Sequence, residues 1–282
     1  MKRAALLVLP ASLALADNMP DAAMRSETAN LAMPYGMDDK IEGKPRFAFK
    51  ADGFAVSPTE LSDMAPGSGV PFVASHEVVS HAIDEKSAWL AMDLEYYAPC
   101  GMESCAHDPP VGNGHITALF DSSSGWHPIA WHHADTVTGK DQAKALAKGT
   151  SPEAIPRKID AGADPVAKKF EATIGDPKAF AKTVSQRNDV VLYGSELAER
   201  FVGGDNVRAQ LAKWKLSLKV RDGVQAGIAS SKTVAWVAAN LDATRPGDKK
   251  PTPYRALFVY EKHDDTGWDV VQLHFSFYKP RF

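Results

Sequence analysis

Apolar and polar residues alternate with a period of two over Ser87–Tyr97, which places Leu90, Met92 and Leu94 on one face and Trp89, Ala91, Asp93 and Glu95 on the other. That period predicts a strand. Similar β-leaning runs occupy Phe72–Ala82, His115–Phe120, Trp126–Val137, Val190–Tyr193, Arg221–Ser230, Lys232–Leu241, Tyr254–Lys262 and Trp268–Lys279. Pro128 cannot donate to a ladder, so its strand is expected at an edge or a bulge. Arg46–Lys50 and Gly53–Val56 alternate enough for an early strand or a helix end, and Ser57–Val70 is a Pro/Gly/Ser-rich loop.

The period lengthens to that of a helix between the two groups of strands. Phe170 and Ile174, then Phe180 and Val184, are four apart, each pair preceded by Asp-Pro (Asp164-Pro165 and Asp176-Pro177). Asp as N-cap with Pro at the first helical position predicts helices through Ile174 and Gln186. Gly203-Gly204-Asp205 is expected to cap a third helix over Asn206–Leu218, with Val207, Leu211, Trp214 and Leu218 along its stripe. Asp141–Lys148 reads as a short helix within a linker. Helix, helix, strand, helix and then four strands gives an α+β fold class.

The second set of strands repeats the first. Trp89 in Ala88–Leu94 corresponds to Trp236 in Ala235–Leu241, and Gly125-Trp126 to Gly267-Trp268. A repeat this long is a duplicated domain. The expected organisation is a signal peptide over 1–16, a polar segment over 17–45, a degenerate domain over 46–138, a linker over 139–163 and a full domain over 164–282.

The signal peptide reads from Lys2 and Arg3, the apolar run Ala4–Leu15 and the Ala14-Leu15-Ala16 cleavage pattern. It implies export to a periplasm or the extracellular space. No later apolar run reaches the roughly 20 residues that span a bilayer. In an oxidising compartment Cys100 and Cys105 are expected to form a local disulfide, with metal binding and free thiols the alternatives. Residues 17–140 carry 7 Lys/Arg against 18 Asp/Glu, and residues 141–282 carry 23 against 17. Opposite signs favour docking of the halves within one monomer, with solvated charged faces the alternative. No basic run interleaves with aromatics, so nucleic acid is not an expected partner.

In its two leading helices, Val191–Ser195, the Glu199…Gly203-Gly204 segment and the terminal Gly267-Trp268…His274-Phe275-Ser276, the stretch 165–279 resembles the SnoaL-like branch of the nuclear transport factor 2 (NTF2)-like superfamily. Residues 46–137 resemble it in their strands alone. The resemblance implies two cone-shaped α+β barrels, each a curved antiparallel sheet packed on helices, that pair sheet to sheet. It also implies a pocket between sheet and helices. The family's functions range from isomerases and dehydratases to non-catalytic binding modules.

Candidate chemistry follows from strand parity. Gln272, His274 and Ser276 share one face of the last strand, as pocket lining or as a domain interface. Trp214, Trp236, Asn240, Tyr254, Gln272 and His274 are the expected ligand-binding set, and Tyr254, Trp236 and Asn240 are expected to converge on the polar trio. The expected ligand is a small hydrophobic molecule or a protein partner, bound without catalysis and without a cofactor. The alternative is an isomerase or dehydratase using Asp93 with His115 or His132 as base and orienting group. The position matching Asp93 in the second half is Asn240, which cannot take a proton. The first half holds seven of the nine histidines, but no metal motif organises them.

Overall fold

The computed structural model describes residues 47–49, 72–84, 86–97, 112–123, 127–148, 152–263 and 267–277. The signal peptide, the polar segment 17–45 and Cys100 and Cys105 lie outside them. Two sheets form. The first contains β1 (Phe47–Phe49), β2 (Phe72–Asp84), β3 (Ser87–Tyr97), β4 (Gly112–Asp121) and β5 (His127–Asp135) in the order β1-β5-β4-β3-β2.

The second contains β6 (Lys158–Ile159), β7 (Val191–Tyr193), β8 (Arg200–Val202), β9 (Ser217–Ile228), β10 (Val234–Thr244), β11 (Thr252–His263) and β12 (Gly267–Phe277) in the order β6-β9-β10-β11-β12-β7-β8. Helices α1 (Gly139–Ala147), α2 (Asp164–Thr173), α3 (Pro177–Lys182) and α4 (Gly204–Trp214) complete the described residues. The class is α+β, as the order of periods predicts.

The sheets share one topology. In each, four strands run as an antiparallel meander, and a three-residue strand from earlier in the chain adds in parallel to the last one, β1 on β5 and β7 on β12. The ladders also fix which positions correspond. Trp89 pairs with Leu119, and Trp236 with Val259; an irregularity in the next ladder follows each, at Leu119/Phe120 and Val259/Tyr260. Leu119 thus corresponds to Val259, two residues beyond Leu257, with which the triplets Ala118-Leu119-Phe120 and Ala256-Leu257-Phe258 would align it. On the same count Asp93 corresponds to Asn240 and His132 to His274.

Helices α2, α3 and α4 cover one face of the second sheet. Val166, Phe170, Phe180, Val207 and Leu211 bury against Val237, Ala239, Phe258 and Phe275. Phe258 anchors this layer, its ring 5.1 Å from that of Phe170 and 5.5 Å edge-to-face from that of Phe180. Asp176 caps α3 as expected, accepting from the backbone of Lys178 and Ala179. Asp164 does not cap α2; it is the first helical residue, and Ala163 stands at the cap without a side-chain bond. The helix α4 begins at Gly204 and ends at Trp214, short of Leu218, which already lies in β9. Gly203 has φ +93°, and a Cβ on Gly204 would stand 2.0 Å from the Ser185 carbonyl oxygen. Two glycines are required there for different reasons, one torsional and one steric.

The opposite face of the second sheet packs on the first sheet. Trp89, Ala91, Leu119, Ile129 and Ala130 from one side join Val191, Tyr193, Val234, Trp236, Ala238, Leu257, Val259 and Val271 from the other in one buried cluster. The linker belongs to this body. Ile155 is buried in the same cluster, Lys158–Ile159 pair in parallel with β9, and the chain passes so close that a Cβ on Gly223 would meet the Ile155 carbonyl at 2.2 Å. Its helix α1 is capped by Thr138 and held by Gly139 N–H to Glu196 Oε1, 3.0 Å. No described helix is long and apolar enough to cross a membrane.

Candidate functional site

Strand parity and register divide the expected ligand-binding residues between two faces. Tyr254 pairs with Phe277, so it shares the helix-side face with Phe275 and Phe277. Gln272, His274 and Ser276 point the other way, into the seam between the sheets, where Trp236 is also buried. The expected convergence of Tyr254 with the trio does not occur. Asn240, on the seam-side parity of β10, is committed elsewhere: its Nδ2 donates to the Glu153 carbonyl (2.7 Å) and to Asp222 Oδ2 (3.0 Å).

The trio faces the first sheet. Gln272 Nε2 donates to Thr117 Oγ1 at 3.0 Å, and Thr117 Oγ1 lies 3.1 Å from His274 Nδ1. Ser276 Oγ lies 2.8 Å from His132 Nε2. The corresponding histidines of the two sheets, His132 and His274, stack on one another with centroids 4.0 Å apart and planes 17° apart. Such self-pairing of equivalent positions is what a two-fold interface produces near its axis. Burial pushes both imidazoles well below the ordinary histidine range; the Arg255 charge adds to this at His132, and His132 and His115 add to it at His274. At the margins of the seam, Trp89 Nε1 donates to Glu261 Oε1 (3.1 Å), and the Ser230 N–H donates to Asp121 Oδ2 (2.6 Å).

The structure brings Asp93 and His115 together but not His132. Asp93 Oδ1 lies 3.0 Å from His115 Nδ1, its Oδ2 lies 3.3 Å from Arg200 Nε, and the His115 ring stacks on Tyr193 at 4.3 Å. One carboxylate oxygen is therefore engaged within the first sheet, by His115, and the other across the seam, by Arg200. Burial first, and then the charge of Asp93, push the Tyr193 phenol up. Among the described residues no group of three or more His, Cys, Asp or Glu is arranged to hold a metal ion.

The helix-side face holds the cleft. Trp214 from α4, Leu216 and Leu218 after it, Tyr254 from β11, Phe275 from β12, Arg245, and Gly194, Ser195 and Glu199 from the β7–β8 loop line it. Trp214 stands edge-on to Phe275 at 6.3 Å. The Glu199 carboxylate closes the loop, accepting from the N–H groups of Ser195 (2.8 Å) and Glu196 (3.1 Å). Burial pushes the Tyr254 phenol up; Arg245 opposes this, and Glu199 and Glu196 add to it.

The enclosed space is about 10 Å3, about one water. It shares Leu216, Arg245 and Tyr254 with a larger vestibule of about 150 Å3, whose far wall is α1 through Gln142, Ala143 and Leu146. The α1 wall was not legible in the sequence as part of a site. The one signal was Gln142, a polar residue three positions before Ala145 on the buried stripe of that helix.

Residues 171–280 match the model of a family described as a SnoaL-like domain, the stretch in which the sequence resemblance was seen. No curated protein matches the chain. Solved structures similar to it include a domain of unknown function with a cystatin-like fold from Nostoc punctiforme (16% identity, 44% of this chain and 81% of that one, TM-score 0.35). Nuclear transport factor 2 from Cryptosporidium parvum is 11% identical over 44% of this chain and 98% of that one, TM-score 0.33. A ketosteroid isomerase-like protein from Erwinia carotovora atroseptica is 19% identical over 43% and 96%, TM-score 0.32.

Proposed function

We propose that residues 171–280, a SnoaL-like domain, bind a small, largely apolar molecule without turning it over, in the cleft between sheet and helices. The observation that carries this reading is the aromatic lining of Trp214, Tyr254 and Phe275 opening directly into the vestibule under α1. Aromatic walls with a few polar groups are the usual composition of ligand sites. The vestibule, about 150 Å3, is below the roughly 300–1,000 Å3 of common ligand pockets and the cleft itself holds about one water, so the molecule is small and its bulk sits in the vestibule. Binding without catalysis fits the lining: its carboxylate, Glu199, is occupied by backbone N–H groups. Asp93, the base of the catalytic alternative, is tied to His115 and Arg200 in the seam.

In the same reading the chain is an exported monomer, its leader is 1–16, and Cys100 and Cys105 are bridged. The two halves arose by duplication and dock as a pseudo-dimer. The shared strand order and the stacking of His132 on His274 support the last point.

Ethylbenzene is a suitable probe. It is expected to raise the thermal midpoint of the parent protein, and Trp214→Ala is expected to abolish the rise by removing the ring against Phe275. An undiminished rise in Trp214→Ala would place the ligand elsewhere.

A further inference from the structure

The vestibule contains an unexplained polar group. Gln142 lies in its wall at 2% exposure, and among the described residues neither its Nε2 nor its Oε1 has a hydrogen-bond partner. A buried amide left unpaired on both atoms is costly, and few persist in folded proteins. The helix that presents it is fixed at its N-terminal end: Val137 N–H donates to the Ser195 carbonyl (2.8 Å), and Gly139 N–H donates to Glu196 Oε1 (3.0 Å). Gln142 is thus held over the mouth of the cleft on a segment outside the family match at 171–280, anchored to Ser195 and Glu196 inside it.

The charges nearby select the kind of head group. Arg245 is the cation of the rim. Asp248 lines the vestibule, and Glu199 and Glu196 lie close enough to Tyr254 to push its phenol up. Arg245 is matched by Asp248 in the vestibule lining and by Glu199 in the cleft, so no net positive charge selects an anionic ligand. A primary amide side chain with neither atom paired is complementary to a neutral group that donates and accepts at once.

We propose that Gln142 is a specificity-determining residue and that the vestibule takes a neutral molecule with an amide-type head, its apolar body directed towards Trp214 and Phe275. This rests on the cleft being a binding site. The test is calorimetric titration of phenylacetamide, phenylacetate and ethylbenzene into the full chain and into Gln142→Leu.

In the parent, phenylacetamide is expected to bind about tenfold tighter than either of the others, the value of one or two buried hydrogen bonds. In Gln142→Leu that preference is expected to vanish while ethylbenzene binds at least as well as before. A preference that survives in Gln142→Leu, or phenylacetate binding as tightly as phenylacetamide in the parent, would overturn the inference and leave the cleft intact as a site. Failure of all three compounds to bind the parent would overturn the cleft as well. Gln142→Met serves the same comparison if the leucine variant does not fold, and the parent's rank order is decisive by itself.

Discussion

Trp236→Ala is expected to destabilise the protein by about 3–5 kcal/mol, the range for truncating a large buried aromatic. Trp236 is 2% exposed and sits in the seam among Trp89, Leu119, Val234 and Val259. Its indole lies over Gly227, where a Cβ would approach Nε1 to 2.6 Å, so the sheet is shaped to receive it. The hole left by alanine is walled by β-sheet on both sides and collapses poorly. Urea denaturation followed by circular dichroism measures the cost. Ethylbenzene binding by the remaining folded protein is expected to persist, because the cleft is on the other face of β10 and β11. A loss below about 1 kcal/mol would show that the two sheets do not pack as described.

The second large effect is acid sensitivity. His132 and His274 are fully buried and stacked, with their imidazoles held well below the ordinary range of 6.5 chiefly by burial. The groups facing them from the packed elements are His115 and Thr117 on β4, His133 on β5, Tyr193 on β7, Arg255 on β11, and Gln272 and Ser276 on β12; Asp93 and Arg200 lie beyond His115.

The sign follows from linkage. Above pH 6.5 both histidines are neutral folded and unfolded, and they impose no pH dependence. Below 6.5 the unfolded chain binds protons that the folded protein refuses, so stability falls as pH falls, until the depressed folded values are reached. Each histidine contributes about 1.4 kcal/mol per pH unit in that window, and the pair about twice that. The urea midpoint is therefore expected to drop steeply between pH 6.5 and 5, and the double variant His132→Gln/His274→Gln to flatten the drop. A midpoint unchanged between pH 7 and 5 in the parent would mean that these imidazoles are not buried neutral.

Much of the architecture was legible because it rests on periods. The alternation around Trp89 and Trp236, the four-residue spacing of Phe170 with Ile174, and the Asp176-Pro177 start each correspond to a local structural requirement. Within one strand, parity was also legible: Gln272, His274 and Ser276 do share a face. Which face was not, because that depends on register with β11, and register is set across a turn and past the irregularity at Val259/Tyr260. The Ala-Leu-Phe triplets 118–120 and 256–258 mislead by two residues because the pairing of Trp89 with Leu119 and of Trp236 with Val259 sets the equivalence, whereas the match of Gly125-Trp126 to Gly267-Trp268 already aligns His132 with His274.

Asp164 was mistaken for a cap because an Asp-Pro pair starts a helix one residue either way. In the linker the helix expected over Asp141–Lys148 is present as Gly139–Ala147, but the contacts of the segment were not legible. Beyond that helix the linker carries no period, yet the segment supplies a parallel edge strand, a seam residue in Ile155 and, through the helix, the far wall of the vestibule. Contacts that a segment makes with distant strands leave no periodic mark on the segment itself.

Ligand and first sheet are expected to use opposite faces of the second sheet. Thermal unfolding with and without ethylbenzene, run on Trp214→Ala and His274→Gln side by side, tests it most directly. The predicted result is that Trp214→Ala loses the ligand-induced rise, whereas His274→Gln keeps it. The converse, a rise retained in Trp214→Ala and lost in His274→Gln, would place the ligand in the seam and contradict the account.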